Sequence, residues 1–311
     1  MLKFLKFYIG KYMNKIFLII VTSLQLLACE AYISVDDLLE ELKSSNNIVI
    51  LDVTDKDEYE QGHIPGAISA NISQFRHNVI LHKEIKSPKE IQRLARSLGI
   101  NNDSKVIIYG HGKKKELLKT SYMAMAFITH GLNNIALLDG GFDEWNYDNI
   151  NEVSTLTPKV VQGNFTANFQ NGIIVDKEYV RTRIGKVPML DARPPRYYFG
   201  SKLSGGVERY GHIPNAISSF WGDKFKNDKT IRDEDVLEEI MIIGNKISMN
   251  DEIILYCTGG LETSANWYIL YQHLGFKNAK IYDGSMRDWG NVRDTPLTRY
   301  KWESVYSCAG K

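Results

Sequence analysis

Cysteine is scarce: three residues among 311, at Cys29, Cys257 and Cys308. They lie far apart, which excludes a disulfide framework. None belongs to a CxxC pair or to a Cys/His cluster with zinc spacing. Each cysteine therefore needs its own explanation. An excess of charge is also missing, since 38 Lys+Arg face 37 Asp+Glu for a formal net charge of +1. Bulk electrostatics argue for neither a nucleic-acid nor an acidic-membrane partner. No pattern indicates a metal or an organic cofactor. The one long apolar run, Ile16 to Leu27, is too short for a comfortable membrane span. What remains, 43% hydrophobic and 24% charged residues over 311 positions, fits a soluble globular chain with room for two ordinary domains.

The apolar run has a lysine-bearing start before it and Ala28-Cys29 after it, the layout of an export signal. Met13 offers an alternative start. Leu26-Leu27-Ala28-Cys29 resembles the lipobox of bacterial lipoproteins, which implies that Cys29 becomes the lipidated first residue of the mature chain. A cleaved secretory signal with an incidental cysteine is the alternative. Either reading predicts export to the periplasm or cell envelope, with membrane contact only through that anchor. The expected divisions are a leader over 1–29, a first domain over 30–150, a linker over 151–171, a second domain over 172–300 and a tail over 301–311.

Two domains emerge because the chain repeats itself. "IVILDVTDKDEYEQGHIPGAIS" from Ile48 is answered by "VPMLDARPPRYYFG…RYGHIPNAIS" from Val187. "SKVIIYGHGKKK" from Ser104 is answered by "DEIILYCTGGLE" from Asp251, and "GLNNIALLDGGFDEW" from Gly131 by "GFKNAKIYDGSMRDW" from Gly275. The order is kept, at offsets between about 139 and 149 residues. Short β-branched runs alternate with amphipathic helical stretches in each copy, which implies an α/β layer fold with parallel strands. The first copy is expected to be inert, because Gly110 stands where the second has Cys257.

The combination LDxR…GHIPxA, a strand ending YCxxGxxxS, and a closing DGG/DGS-x-x-x-W resembles a rhodanese domain. Two in tandem resemble the thiosulfate and 3-mercaptopyruvate sulfurtransferases, over nearly all of residues 33 to 300. The resemblance implies a parallel five-stranded sheet flanked by helices in each half. It implies one active cysteine, Cys257, that carries sulfur as a persulfide from a small donor to a thiol or cyanide acceptor, which can be a protein. A persulfide carrier with little turnover on small donors is the rival reading.

The physical case stands beside the resemblance. A strand that delivers a cysteine into a glycine loop ahead of a helix leaves backbone N–H groups unpaired and convergent. Such a cradle, Thr258, Gly259, Gly260, Leu261 and Glu262, should favour the thiolate and hold its pKa below the free value of about 8.5. Thr263 or Ser264 is positioned to cap the following helix. The loop has no arginine, which weighs against phosphate chemistry, and Thr258-Gly259 where thiosulfate enzymes place cations, which leans toward mercaptopyruvate. Glu262 cuts the other way: a carboxylate beside a thiolate raises its pKa and repels anions. The resemblance implies arginines in the segment after LDAR as contacts for an anionic donor, with Arg196 and then Arg209 as the candidates. Arg193 is expected to pair with a carboxylate. His63 and His212 occur in both copies and so suggest a shared structural duty, as do Asp52 and Asp191. His111 and the lysines 113–115 read as a solvated loop, Trp145 and Trp289 as core anchors, and Cys308 as incidental.

Overall fold

Strands and helices alternate in the computed structural model, which describes residues 30–45, 47–227 and 229–303; Cys29, the leader and Cys308 lie outside them. In the first half β1 (Tyr32–Ile33), β2 (Ile48–Asp52), β3 (Ile68–Ser69), β6 (Lys105–Tyr109) and β7 (Ile135–Leu138) form one parallel sheet in the order β1-β7-β6-β2-β3. Its helices are α1 (Val35–Ser44), α2 (Lys56–Gln61), α3 (Pro88–Ser97), α4 (Lys114–Ile128) and α5 (Gly141–Trp145), and a hairpin β4 (Arg76–Asn78) and β5 (Lys83–Ile85) interrupts the series. In the second half β8 (Met189–Asp191), β9 (Ile217–Ser218), β12 (Ile253–Tyr256) and β13 (Ala279–Ile281) form a parallel sheet in the order β13-β12-β8-β9. Helices α6 (Lys177–Arg183), α7 (Pro195–Phe199), α8 (Glu234–Glu238), α9 (Leu261–Tyr268) and α10 (Ser285–Trp289) accompany it, with the hairpin β10 (Phe225–Lys226) and β11 (Thr230–Ile231).

The five expected strands are complete in the first half and number four in the second. The fifth is reduced to a one-residue bridge between Ile174 and Ile281. A turn through Gly172 at φ +87 precedes it and the cap Asp176 of α6 follows, so little chain is left to extend.

Strands of a parallel sheet are covered on both faces, which explains their unbroken apolar runs. Ile107, Ile108, Ile254 and Leu255 are fully buried. Two helices lack a polar face over most of their length: residues 120–128 of α4 and 263–270 of α9 and its continuation are buried. Apolar residues on every side require neighbours on every side, and α4 and α9 supply them by packing on each other. One core therefore runs through both halves, with Phe127, Leu190 and Trp267 in the same cluster. From Ala31 onward the described residues form one compact unit.

The hairpins cross over reciprocally. The Ile85 amide of the first donates to Asp283 of the second half at 2.9 Å, and the Ile231 amide of the second donates to Asp139 of the first at 2.8 Å. The repeated histidines have matching structural roles. His63 donates from Nδ1 to the Tyr59 carbonyl and stacks on that ring; His212 does the same with Tyr198, both at 2.8 Å. Their backbones are bridged by Ser154 and Thr298, each from the segment that follows its own half. The linker is likewise stitched to the first half, with Gly163, Phe165 and Asn168 amides donating to the carbonyls of Arg96, Ile100 and His130. Trp145 and Trp289 are buried anchors.

A shared core predicts shared unfolding. Phe127, fully buried and edge-on to Phe75 at 5.2 Å, should lose about 3–5 kcal/mol on substitution by alanine. Urea denaturation followed by two probes should show one transition; a separate, earlier transition of one half would contradict the shared core.

Candidate functional site

Cys257 follows directly on β12, at the carboxyl edge of the sheet, where strand ladders stop and helix hydrogen bonds have not begun. The loop's peptide groups are held from behind and aimed inward. The Met286 amide donates to the Cys257 carbonyl and the Arg287 amide to the Thr258 carbonyl, each at 3.0 Å. Arg76, from the first half, donates to the Gly259 carbonyl at 2.6 Å. The facing N–H groups are thereby turned toward the sulfur: Gly260 N lies 3.1 Å and Gly259 N 3.4 Å from Cys257 Sγ. Gly260 holds φ +93, and a Cβ there would collide with Asp283, so this position demands glycine.

Ser285 completes the setting. Its hydroxyl accepts from the Cys257 amide at 3.0 Å and stands 3.9 Å from Sγ. It sits at φ +53, in the left-handed region, where the first half has Gly141. A non-glycine residue there is strained by roughly 1–3 kcal/mol, and its hydroxyl is what the glycine lacks.

The thiol is 1% exposed. Burial, followed by the Glu262 carboxylate, pushes it up to about 11; the Thr263 hydroxyl and amide and the Gly259 amide pull the other way. This corrects the expectation of a depressed pKa. The amides are in place, but desolvation and an adjacent carboxylate outweigh them in the resting protein. Glu262 is itself raised by burial, against the Thr258 amide, which it accepts at 3.4 Å. Cysteine and carboxyl both resist ionisation in the resting protein, each raised first by burial.

The inert copy shows what the cradle prefers. The Glu116 carboxylate accepts the His111 amide at 2.6 Å and the Lys113 amide at 3.4 Å. A Cβ on Gly110 would stand 2.6 Å from Glu116 Cβ. A carboxylate therefore enters the first half's cradle, sharing with Cys257 one of its two amides, at Lys113 in place of Gly260, and taking besides the amide that Glu262 accepts in the other half. Over the loops, charge is reversed. A Cβ on Gly112 would lie 2.6 Å from Asp143 Oδ2, whereas one on the equivalent Gly259 would lie 3.4 Å from Arg287 Nη1. Arg287 is anchored through Nε to the Gly205 carbonyl at 3.0 Å.

The sequence-derived candidates divide. Thr258, Gly259, Gly260, Leu261 and Glu262 do surround the thiol or begin α9. Arg209 does not join them: its guanidinium donates to the carbonyls of Trp289, Gly290, Val292 and Thr295, and so closes the end of α10. Arg196 is exposed and lies over the Tyr197 ring at 5.1 Å, with no described contact to the loop. Arg193 forms the expected buried pair with Asp191. Neither Thr263 nor Ser264 caps α9; Gly260 is its N-cap, and the Thr263 hydroxyl is buried without a hydrogen-bond partner among the described residues. His111 is not solvated but stacks on Phe142 at 4.3 Å, 3.7 Å from Asp52. Reasoning from sequence missed Arg287, Ser285 and Arg76. The first two were visible as differences between the repeats, DGGFD against DGSMR.

Comparison with known proteins follows the repeat. The rhodanese-like domain family matches residues 34–148 and 176–291. A putative thiosulfate sulfurtransferase of Haloferax volcanii is 28% identical over 277 residues, 85% of this chain and 94% of its own. The sulfur carrier protein TtuD of Thermus thermophilus is 27% identical over 285 residues, 87% of this chain and 97% of its own. The solved structure of SseA from Escherichia coli, a 3-mercaptopyruvate sulfotransferase, has a TM-score of 0.70 at 25% identity, covering 82% of this chain and 98% of its own. That of YnjE has a TM-score of 0.79 at 19% identity over 89% of this chain and 70% of its own, a likeness of fold.

Because the Glu262 charge raises the thiol, Glu262→Gln should lower it. Alkylation of Cys257 by iodoacetamide, measured against pH, should shift its midpoint downward from about 11. An unmoved or higher midpoint would show that the carboxyl is not what opposes ionisation.

Proposed function

Because the chain belongs to the rhodanese-like family and is a sulfurtransferase, we propose that Cys257 is its sulfur-accepting residue and 3-mercaptopyruvate its preferred donor. The observation that carries this reading is the pair of glycine amides facing Sγ at 3.1 and 3.4 Å, in a cradle that holds a carboxylate in the other half. The site suits a sulfur that becomes negative.

The first step is loss of the thiol proton to Glu262, the neighbouring carboxylate. The thiolate then attacks the donor's sulfur. With 3-mercaptopyruvate the new S–S bond forms as the carbon–sulfur bond breaks, and the electron pair leaves with the carbon as the enolate of pyruvate. The proton held on Glu262 returns to that carbon, so thiol and mercaptopyruvate give persulfide and pyruvate without an outside oxidant. A base that becomes an acid is useful here. Thiosulfate runs the same covalent scheme with sulfite as the leaving group, but its two charges meet the Glu262 carboxylate, which favours the singly charged donor. Arg287, lying over Gly259, receives the donor's carboxylate. A thiol or cyanide then attacks the outer sulfur and regenerates Cys257, so one hard step becomes two easier ones.

The similarity to TtuD supports a second reading, in which the persulfide is delivered to a protein and small donors turn over slowly. Export belongs to the same proposal: the leader and the lipobox-like Cys29 favour a cell-envelope protein with a lipid anchor.

Cys257→Ser should abolish sulfur transfer, and full activity in that variant overturns the assignment. Arg287→Met should raise KM for mercaptopyruvate on the order of 10–100-fold, the loss of one charged hydrogen bond, with a smaller effect on kcat. Intact mass of the mature chain before and after mercaptopyruvate should show a lipid on the new N-terminus and a gain of one sulfur. A stable gain without turnover selects the carrier.

A further inference from the structure

Arg76 opens β4 in the half without a nucleophile, yet it serves the other half's loop. It is 9% exposed, and its Nη2 donates to the Gly259 carbonyl at 2.6 Å and to the Lys83 carbonyl at 3.0 Å. The guanidinium lies over the Tyr122 ring at 4.6 Å, with Asp283 Oδ1 3.9 Å away. Asp283 is fixed in turn by the Tyr122 hydroxyl at 2.8 Å and the Ile85 amide at 2.9 Å.

The consequence follows from the planarity of the peptide group. In a trans peptide the carbonyl oxygen and the next residue's N–H point in opposite directions. A Gly259 carbonyl drawn toward Arg76 sends the Gly260 N–H the other way, and that N–H meets Cys257 Sγ at 3.1 Å. A cation on the oxygen also polarises the peptide, which makes its N–H a stronger donor. The reciprocal hairpin lacks this device. Phe225 opens β10 opposite Ile231, as Arg76 opens β4 opposite Ile85, and so an apolar ring stands where the guanidinium does.

We infer that Arg76 is a positioning residue for the sulfur anion, acting across the two halves through the Gly259–Gly260 peptide. The inference rests on the reading of Cys257 as the sulfur-accepting residue. The charged or titratable groups facing this arrangement are Glu262 from α9, Asp283 from the segment before α10, Arg287 from α10, Tyr122 from α4 and Glu84 from β5; the Asp191–Arg193 pair acts on Glu262.

The test is the alkylation rate of Cys257 against pH, with donor kinetics on the same proteins. Arg76→Met should move the alkylation midpoint upward and lower kcat for sulfur transfer on the order of 10–100-fold, with KM for the donor little changed, because Arg76 lies behind the loop. Arg76→Lys keeps the charge and the hairpin, and should give a smaller shift in the same direction. Phe225→Ala weakens the equivalent hairpin on the other face and should lower the melting temperature while leaving the thiol's profile in place. An unmoved midpoint in Arg76→Met, or the same shift in Phe225→Ala, overturns the inference in favour of a purely structural contact. A wild-type protein that never gains sulfur overturns the reading of Cys257 instead, and the alkylation profiles still decide the role of Arg76.

Discussion

A sulfur anion taken out of water survives only where fixed dipoles replace the water it has lost, and that exchange governs this molecule. Parallel strands end with N–H groups that no neighbour claims. The loop after β12 gathers two of them around Cys257, while their carbonyl ends are tied down from α10 and from Arg76. The balance does not favour the anion at rest, since burial and Glu262 hold the thiol near 11. A persulfide spreads its charge over two sulfurs and extends beyond the most enclosed position. On the proposed reading the cradle is better matched to the loaded state than to the empty one, which is what a covalent intermediate requires.

Duplication explains how such a site is supported. Both halves keep the sheet, the histidine-to-tyrosine clamp and the amide cradle, but equivalent positions have parted. Cys257, Ser285 and Arg287 stand where the first half has Gly110, Gly141 and Asp143. Glu116 fills the unused cradle, and Lys229 pairs with Asp143 above it at 2.6 Å. The first half's site is thus closed by its own Glu116 and Asp143 together with Lys229 from the other half's hairpin. Its free contribution is a hairpin, and that hairpin carries the cation behind the working loop. The half without a nucleophile is thus a part of the site, not only a relic beside it.

The repeats made most of the fold legible, because apolar runs, turn glycines and the histidine segments are local signals. The cysteine loop could be read for the same reason: strand, thiol and glycines are contiguous. Failure began where a side chain's partner is distant in sequence. Arg209 looked available because the carbonyls it satisfies lie some 80 residues later. Arg76 gave no local signal, because the carbonyl it meets, at Gly259, is 183 residues away. The pKa of Cys257 was misjudged in sign because N–H donors are implied by a loop's sequence, whereas the extent of burial is decided by α4, α9 and the crossing hairpin. The fifth strand of the second half was lost to a glycine turn and an early helix cap, a matter of one or two residues.

Glu262 joins these threads. A thiolate poised in the open would react with any oxidant it met, and susceptibility follows both exposure and ionisation. Export, as proposed, would place Cys257 where thiols are readily oxidised. A thiol that is 1% exposed, and kept protonated by that burial and by a carboxylate neighbour, is shielded on both counts. In the proposed reaction the same carboxylate accepts the proton once a donor enters and Arg287 has met its anionic group. Protection at rest and activation on binding then come from one residue. On the proposed mechanism the arrangement favours donors that bring little negative charge and need a proton returned to carbon, and it disfavours a dianion that brings more charge to the carboxylate and needs no such proton.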